Sequence, residues 1–463
     1  MASSSIKRLV GVLLLVVLGI PSNALQADRK SRIAFVDVNV VPMDREIVLP
    51  RQTVLVEDGK IVAVGPIGSV SIPQNTRRID GTNRYLMPGL VDMHVHFIRP
   101  AIPGKPQKSS GENYAAENGR LALLFVANGV TSVRNMWGHP AILKFNEQII
   151  QGDILGPTIY SVGPLTDGDP PVNLGSRLVT TEQEAKDAVR EDKERGYIAI
   201  KVYNNLTPDA YQAIVAAAGN EKLAVVGHTP RLVGLLGVLD AHQSSIEHFS
   251  SFARAAVSNS AAQEQLSLDE LFKRADLDKL PKIAESVKAA EVWTCPTVVQ
   301  VQYDAERDVW AKERSYVPRD LVDRYEQGKV SPLDYSAERK FALSLVRALH
   351  GKGAGLLLGT DAYKPNIIPG FSLHEELRYF VEAGLSPYES IRAGTSDAAR
   401  FLHREDEFGT IAVGRRADLL LLNANPLEDV TNVSKRVGIV LRGQWLPEQQ
   451  LQKNLKRFSV SAH

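Results

Sequence analysis

The chain has 463 residues, long enough for one large barrel-sized domain and a smaller second one. Its 44% hydrophobic and 23% charged residues are ordinary globular composition, which excludes a disordered or low-complexity chain. The 54 basic and 53 acidic residues balance to +1, which argues against nucleic acid or an acidic surface as a partner.

From the N-terminus, Lys7 and Arg8 precede an apolar run, Leu9 to Ile20, and the small residues of Pro21-Ser22-Asn23-Ala24 follow. The run is too short for a stable bilayer-spanning helix. Residues 1–24 therefore read as a cleaved signal peptide, with an uncleaved anchor as the alternative. An exported protein is expected, periplasmic or extracellular, with no stable membrane span after cleavage. Its single cysteine, Cys295, allows no intrachain disulfide and no cysteine-based metal site.

Residues 32 to 86 read as short β-strands. Thr53–Glu57 and Lys60–Val64 flank Asp58-Gly59, a strong hairpin signal. Next comes Pro88-Gly89-Leu90-Val91-Asp92-Met93-His94-Val95-His96, an apolar strand ending in two histidines one residue apart. Residues i and i+2 of a strand share a face, so His94 and His96 project together. Seven further strands are expected at Val130–Arg134, Thr158–Val162, Ile198–Val202, Leu223–Gly227, Ser244–Glu247, Val292–Cys295 and Gly355–Leu358. Helical patterns such as Glu182–Glu194 and Pro208–Ala218 lie between them. Eight strands alternating with helices fit an α/β fold, a (β/α)8 TIM-like barrel, with a doubly wound sheet as the runner-up. The polar segment from Gln300 to Ala337 is expected as a helical insertion over the barrel mouth, with a solvated loop or a homo-oligomer contact as alternatives. Ala417–Leu422 and a hairpin around Arg442-Gly443 return the chain to β structure. The expected organisation is thus a small β-sandwich domain built from both chain ends (28–86 and 406–463) around a barrel at 87–405.

Barrel active sites form at the carboxyl ends of the strands. The polar residues expected there are His94, His96, Lys201, His228, His248 and Asp361. Taken singly, each has a plain structural explanation; Asp361, for example, would serve as a helix cap. Together at one rim they indicate a metal centre. His139, His242, His350, His374 and His403 fall in loops or helices and read as structural. Neutral imidazoles suit zinc and related divalent ions. Lys201 sits in an apolar run, where burial lowers an amine's pKa. A neutral amine can add carbon dioxide, and the resulting carbamate can bridge two cations ~3.5–4 Å apart. An ordinary lysine snorkelling to the strand end is the alternative.

These residues, with several other motifs, resemble the amidohydrolase superfamily, in the branch of imidazolonepropionases and prolidase-type dipeptidases. The supporting motifs are Gly129-Val130-Thr131-Ser132-Val133-Arg134, Ala383-Gly384-Leu385-Ser386-Pro387, a helix from Glu389 to Leu402, and Gly409-Thr410-Ile411 through Leu419. The likeness spans residues 32 to 446. It implies two divalent ions, zinc by preference. His94, His96 and Asp361 would hold the more buried ion, His228 and His248 the second, and carbamylated Lys201 would bridge them. Asn135 departs from the acidic residue that relatives often carry after the arginine. The implied reaction is hydrolysis of a C–N bond, an amide or peptide bond of a small substrate such as a dipeptide or N-acyl amino acid. A metal-bridging hydroxide would attack, with Asp361 as proton shuttle and His228 or His248 steadying the oxyanion. Tyr203 would either touch the substrate or simply pack at the strand end. A cyclic amide, a lactone or a phosphotriester as substrate, and a non-catalytic scaffold, are the alternatives.

Overall fold

A computed structural model describes residues 32–98, 114–258, 266–301, 313–316, 335–364 and 366–458. The expected signal segment lies outside the described residues. So does most of 300–337, where a 3-10 turn at Glu313–Tyr316 is described.

The first five strands are β1 (Ile33–Val40), β2 (Leu49–Glu57), β3 (Lys60–Pro66), β4 (Arg77–Asp80) and β5 (Tyr85–Pro88). Asp58 and Gly59 have φ of 49° and 79°, the two left-handed positions of the expected hairpin turn. Near the other end, β16 (Leu419–Leu422), β17 (Arg436–Leu441) and β18 (Gln444–Pro447) follow, with Arg442 and Gly443 at φ 47° and 83° in the second hairpin. All eight belong to one sheet in the order β18-β17-β16-β5-β1-β2-β3, with β4 beside β1. Its centre is β5, parallel to β1 and antiparallel to β16. The two hairpin tips touch: the Ala417 amide donates to Gly59 O at 2.7 Å and the Gly443 amide to Ala417 O at 2.9 Å.

Between these flanks lie β6 (Leu90–Val95), β7 (Val130–Asn135), β8 (Thr158–Ser161), β9 (Leu165–Asp167), β10 (Arg177–Leu178), β11 (Ala199–Val202), β12 (Ala224–Gly227), β13 (Ser245–Glu247), β14 (Trp293–Cys295) and β15 (Gly355–Leu356). All eight expected strands are present; Leu90–Val95 keeps its full length, the second extends by one residue to Asn135, and the other six are trimmed. All their pairings are parallel, in two arcs, β6-β7-β8 and β10-β9-β11-β12-β13-β14-β15. The ladders do not close into one continuous barrel. At one seam Gly163-Pro164 interrupts the run from β8 to β9, because proline has no N–H to offer a ladder. Single hydrogen bonds cross there, Ile198 N to Ser161 O (3.0 Å) and Gly163 N to Ala199 O (2.8 Å). At the other seam β15 stops after two residues, and the chain beyond it bonds to β6 through Met93 N to Leu358 O (2.8 Å) and Asp361 N to His94 O (2.7 Å). The short β9 and β10 were not expected, because the proline- and glycine-rich stretch around them reads as loop.

The helix expected at Glu182–Glu194 forms with those bounds, capped by Thr181 and Glu184 in a capping box. The one expected at Pro208–Ala218 runs on to Glu221. The single helix expected from Glu389 to Leu402 is instead two, Pro387–Ala393 and Ser396–Phe401. The carbonyls at the break are taken by the parallel strands' chain: Leu358 N donates to Ala393 O (3.2 Å) and Val91 N to Gly394 O (2.8 Å). No helix among the described residues is long and apolar enough to cross a membrane.

Candidate metal centre

The six expected residues converge at the carboxyl ends of the parallel strands. Asp92, His94 and His96 alternate along β6 and just past it, as the period of two requires. Lys201 lies within β11, its side chain as buried as its apolar neighbours. Gly227 ends β12 with φ 134°, and a Cβ there would stand 2.3 Å from Val202 O and 3.1 Å from the Lys201 Cδ. Glycine thus lets β12 close against β11 and delivers His228 at the next position. His248 follows β13 with φ 68°, and Asp361 has φ 63°. Asp361 caps no helix, since the next one begins at Phe371.

Asp361 Oδ1 is 2.8 Å from His96 Nε2 and 3.4 Å from His94 Nε2. The His94 and His248 rings are 4.7 Å apart, His228 and His248 4.9 Å, His94 and His96 5.3 Å. One donor atom each from His94, His248 and Asp361 lies within 4.8 Å of the others. Burial pushes His94 and His228 well below the usual histidine range, and His248 down to about 4. All three are neutral at pH 7. Burial likewise brings Lys201 down to about 8, against a smaller opposing pull from Glu247. Burial also works against the charged form of Asp361, yet Lys364, His94 and His96 outweigh it and hold that carboxyl well below its ordinary value.

Much of what holds these groups was not singled out in the sequence. His94 Nδ1 meets Glu247 Oε2 at 2.8 Å, His228 Nδ1 meets Asn204 Oδ1 at 2.8 Å, and His248 Nδ1 meets Thr297 Oγ1 at 2.8 Å. Lys364 Nζ donates to Asp361 Oδ2 (2.6 Å) and Gln300 Oε1 (3.1 Å). Asp92 accepts from the His94 amide, the Thr360 amide and the Thr360 hydroxyl, tying β6 to the Asp361 turn. Strand alternation could have flagged Asp92, and a lone charge in an apolar strand could have flagged Arg134. Asn135, where relatives often have an acid, accepts from Phe97 N (3.1 Å) and donates to Trp137 O and Ser161 Oγ (both 3.0 Å), bracing the chain after the histidine pair. Tyr203 lies beside His228, ring centroids 4.1 Å apart and planes tilted by 31°. Of the histidines set aside, His139 caps a helix through Ala141 N, and His374 is half-buried against Asn128 O.

This donor set fits divalent cations. The His94, His228 and His248 imidazoles are neutral, and each engages a partner through Nδ1, leaving Nε2 as the other ring nitrogen, the arrangement usual for metal-bound histidine. A second close grouping, His94, Glu247 and Cys295, is not a rival site. Glu247 is engaged by Arg134 and Ser245, and burial raises the Cys295 thiol well above its ordinary value.

A polar, cation-fitting centre at the carboxyl ends of parallel strands defines an α/β enzyme. The sequence model of the amidohydrolase family matches residues 85–446. The chain belongs to that family, generally metal-dependent, and is a hydrolase acting on carbon–nitrogen bonds. Ochratoxinase of Aspergillus niger is 26% identical over 444 residues, covering 84% of this chain and 81% of that one. Among solved structures, bottromycin amidohydrolase superposes with a TM-score of 0.74 at 22% identity, covering 95% of this chain and 93% of the other. A putative prolidase from Bifidobacterium longum gives 0.66 at 24%, covering 92% and 99%.

Proposed function

We propose that this protein is a binuclear metal-dependent hydrolase that cleaves an amide or peptide bond of a small substrate, a dipeptide or an N-acyl amino acid. The observation that carries this is the convergence of His94, His96, His248 and Asp361 around one point, with Lys201 on β11 in the same arc as His248. The relatives' names, ochratoxinase, prolidase and amidohydrolase, agree with it. In this proposal the two parallel arcs act as one (β/α)8 barrel, the mixed sheet packs as a sandwich, and residues 1–24 direct export.

His94, His96 and Asp361 would hold one ion, His228 and His248 the other, with Lys201 as a bridging carbamate. Two bound divalent ions, zinc by preference, supply a shared water of lowered pKa and polarise the scissile carbonyl. Asp361, kept ionised by Lys364, takes the proton of the attacking water and passes it to the leaving amine. His228 or His248 would steady the negative charge that develops on the carbonyl oxygen. Tyr203, beside the His228 ring, would serve as a substrate contact.

The test loads the protein with zinc, measures metal content, and screens dipeptides, N-acyl amino acids, cyclic amides, lactones and phosphotriesters. About two ions per chain and turnover confined to the open-chain amides are expected. Turnover of lactones or phosphotriesters alone overturns the substrate class, and no bound zinc overturns the binuclear metal reading. Lys201→Ala is expected to lose metal and activity, with partial recovery in short carboxylic acids. Near-normal metal content in that variant removes the bridge.

A further inference from the structure

Beneath His94 lies a fully buried ion pair that the proposed reaction does not use. Arg134 enters from β7 and Glu247 from β13, and neither side chain reaches solvent. The Arg134 guanidinium is engaged on three sides. Nε donates to Met93 O at 2.6 Å and one terminal nitrogen to Ser245 Oγ at 3.0 Å. The other donates to both Glu247 oxygens, at 2.8 and 3.0 Å. Its plane also lies 5.0 Å from the Phe401 ring centroid. Glu247 in turn accepts from Ser245 Oγ at 2.5 Å and faces His94 Nδ1 at 2.8 Å. Burying such a pair costs several kcal/mol of desolvation per ion, so it is an expensive way merely to fill a core.

Neighbouring residues on a strand point to opposite faces, yet Glu247 and His248 both reach His94. The left-handed φ of 68° at His248 turns the chain to allow this. One short segment thus places a metal-type imidazole beside His94 and an anion behind it.

We propose that Arg134 and Glu247 are positioning residues that fix the tautomer of His94. With donors from Arg134 and Ser245 on its oxygens, Glu247 is a carboxylate with no proton to give. The contact at His94 Nδ1 must then be an N–H donated by the ring, which leaves the lone pair on Nε2. That nitrogen faces Asp361 Oδ1 at 3.4 Å. A locked tautomer removes the cost of rearranging the ring before a cation binds. This rests on the metal reading for its purpose, but the tautomer itself does not.

The experiment records nitrogen-15 histidine spectra of the metal-free wild-type protein, with the His94 signals identified by their loss in His94→Gln. A proton on Nδ1 and a bare Nε2 at neutral pH are expected; a proton on Nε2 overturns the proposal. Zinc affinity is then measured by chelator competition. Glu247→Gln with wild-type circular dichroism is expected to bind zinc ~10–100-fold more weakly. Cys295→Ala, which disturbs packing at the same spot, is expected to bind as wild type. Unchanged affinity in a folded Glu247→Gln, or equal loss in both variants, overturns the proposal. If Glu247→Gln does not fold, the wild-type spectrum decides. If wild-type protein binds no zinc, the functional reading fails while the spectrum still decides the tautomer.

Discussion

Asp361 shares one carboxylate oxygen with two histidines and gives the other to Lys364. Asp361→Asn keeps a ligand oxygen but cannot carry a proton. Retained metal with kcat lower by roughly 10²–10⁴-fold is expected, checked by metal analysis and steady-state kinetics. Lys364→Met removes the cation that most strongly favours ionised Asp361. Its loss raises the Asp361 pKa, so the acidic limb of the kcat profile is expected to move to higher pH. An unmoved limb would separate Lys364 from the proton path. At this scale the grouping of the six side chains was legible, because histidine, lysine and aspartate at strand ends are rare in combination. Glu247 was not, because alternation sends it away from His248, and only the local backbone turn brings it back. Thr297 and Gln300 were equally hidden, since their partner His248 is 49 and 52 residues away.

Among the elements, the helix Phe371–Ala383 reaches the centre through one side chain. Glu376, fully buried, accepts from Val298 N at 2.9 Å and Val299 N at 2.7 Å, fixing the segment that carries Thr297 and Gln300. Glu376→Ala orphans two buried amides and is expected to cost about 1–3 kcal/mol for each, measured by denaturant unfolding. Burial pushes Glu376 up from about 4.5 to about 8. The folded state then binds the proton more tightly than the unfolded one. The stability this contributes is complete below pH 4.5 and is lost as pH rises through 8. Glu376→Gln is expected to flatten that part of the Tm-against-pH curve; an unaltered slope would refute the assignment. Element by element, the hairpins were readable from Asp58-Gly59 and Arg442-Gly443, and the helix Glu182–Glu194 from its helical pattern. The break after Ala393 was not. It is made by the amides of Leu358, just past β15, and Val91, in β6, donating to Ala393 and Gly394 from more than 30 residues upstream, which local propensity does not register.

Across the whole molecule, the centre draws on β6, β11, β12, β13 and the chain after β15, so a cation held there would brace both parallel arcs. Chelation of zinc-loaded protein is expected to lower Tm, the bound state being favoured by about 2.7 kcal/mol when free metal is 100 times its Kd. No change in Tm would mean that the ligands are already rigid without it. The strand-and-helix alternation was legible in the sequence because each period is local. How the arcs meet was not, since it depends on Pro164 at one seam and on the short β15 at the other. The mixed sheet has a further consequence, for the order of folding. β5 takes one neighbour, β1, from nearby in the chain, but its other, β16, is made roughly 330 residues later, from Pro88 to Leu419. Until then the amides and carbonyls of Tyr85–Pro88 form an open edge on a growing chain. A nascent chain stopped before Leu419 therefore carries a ready template for pairing with its own copies, and β16 is the strand that closes it.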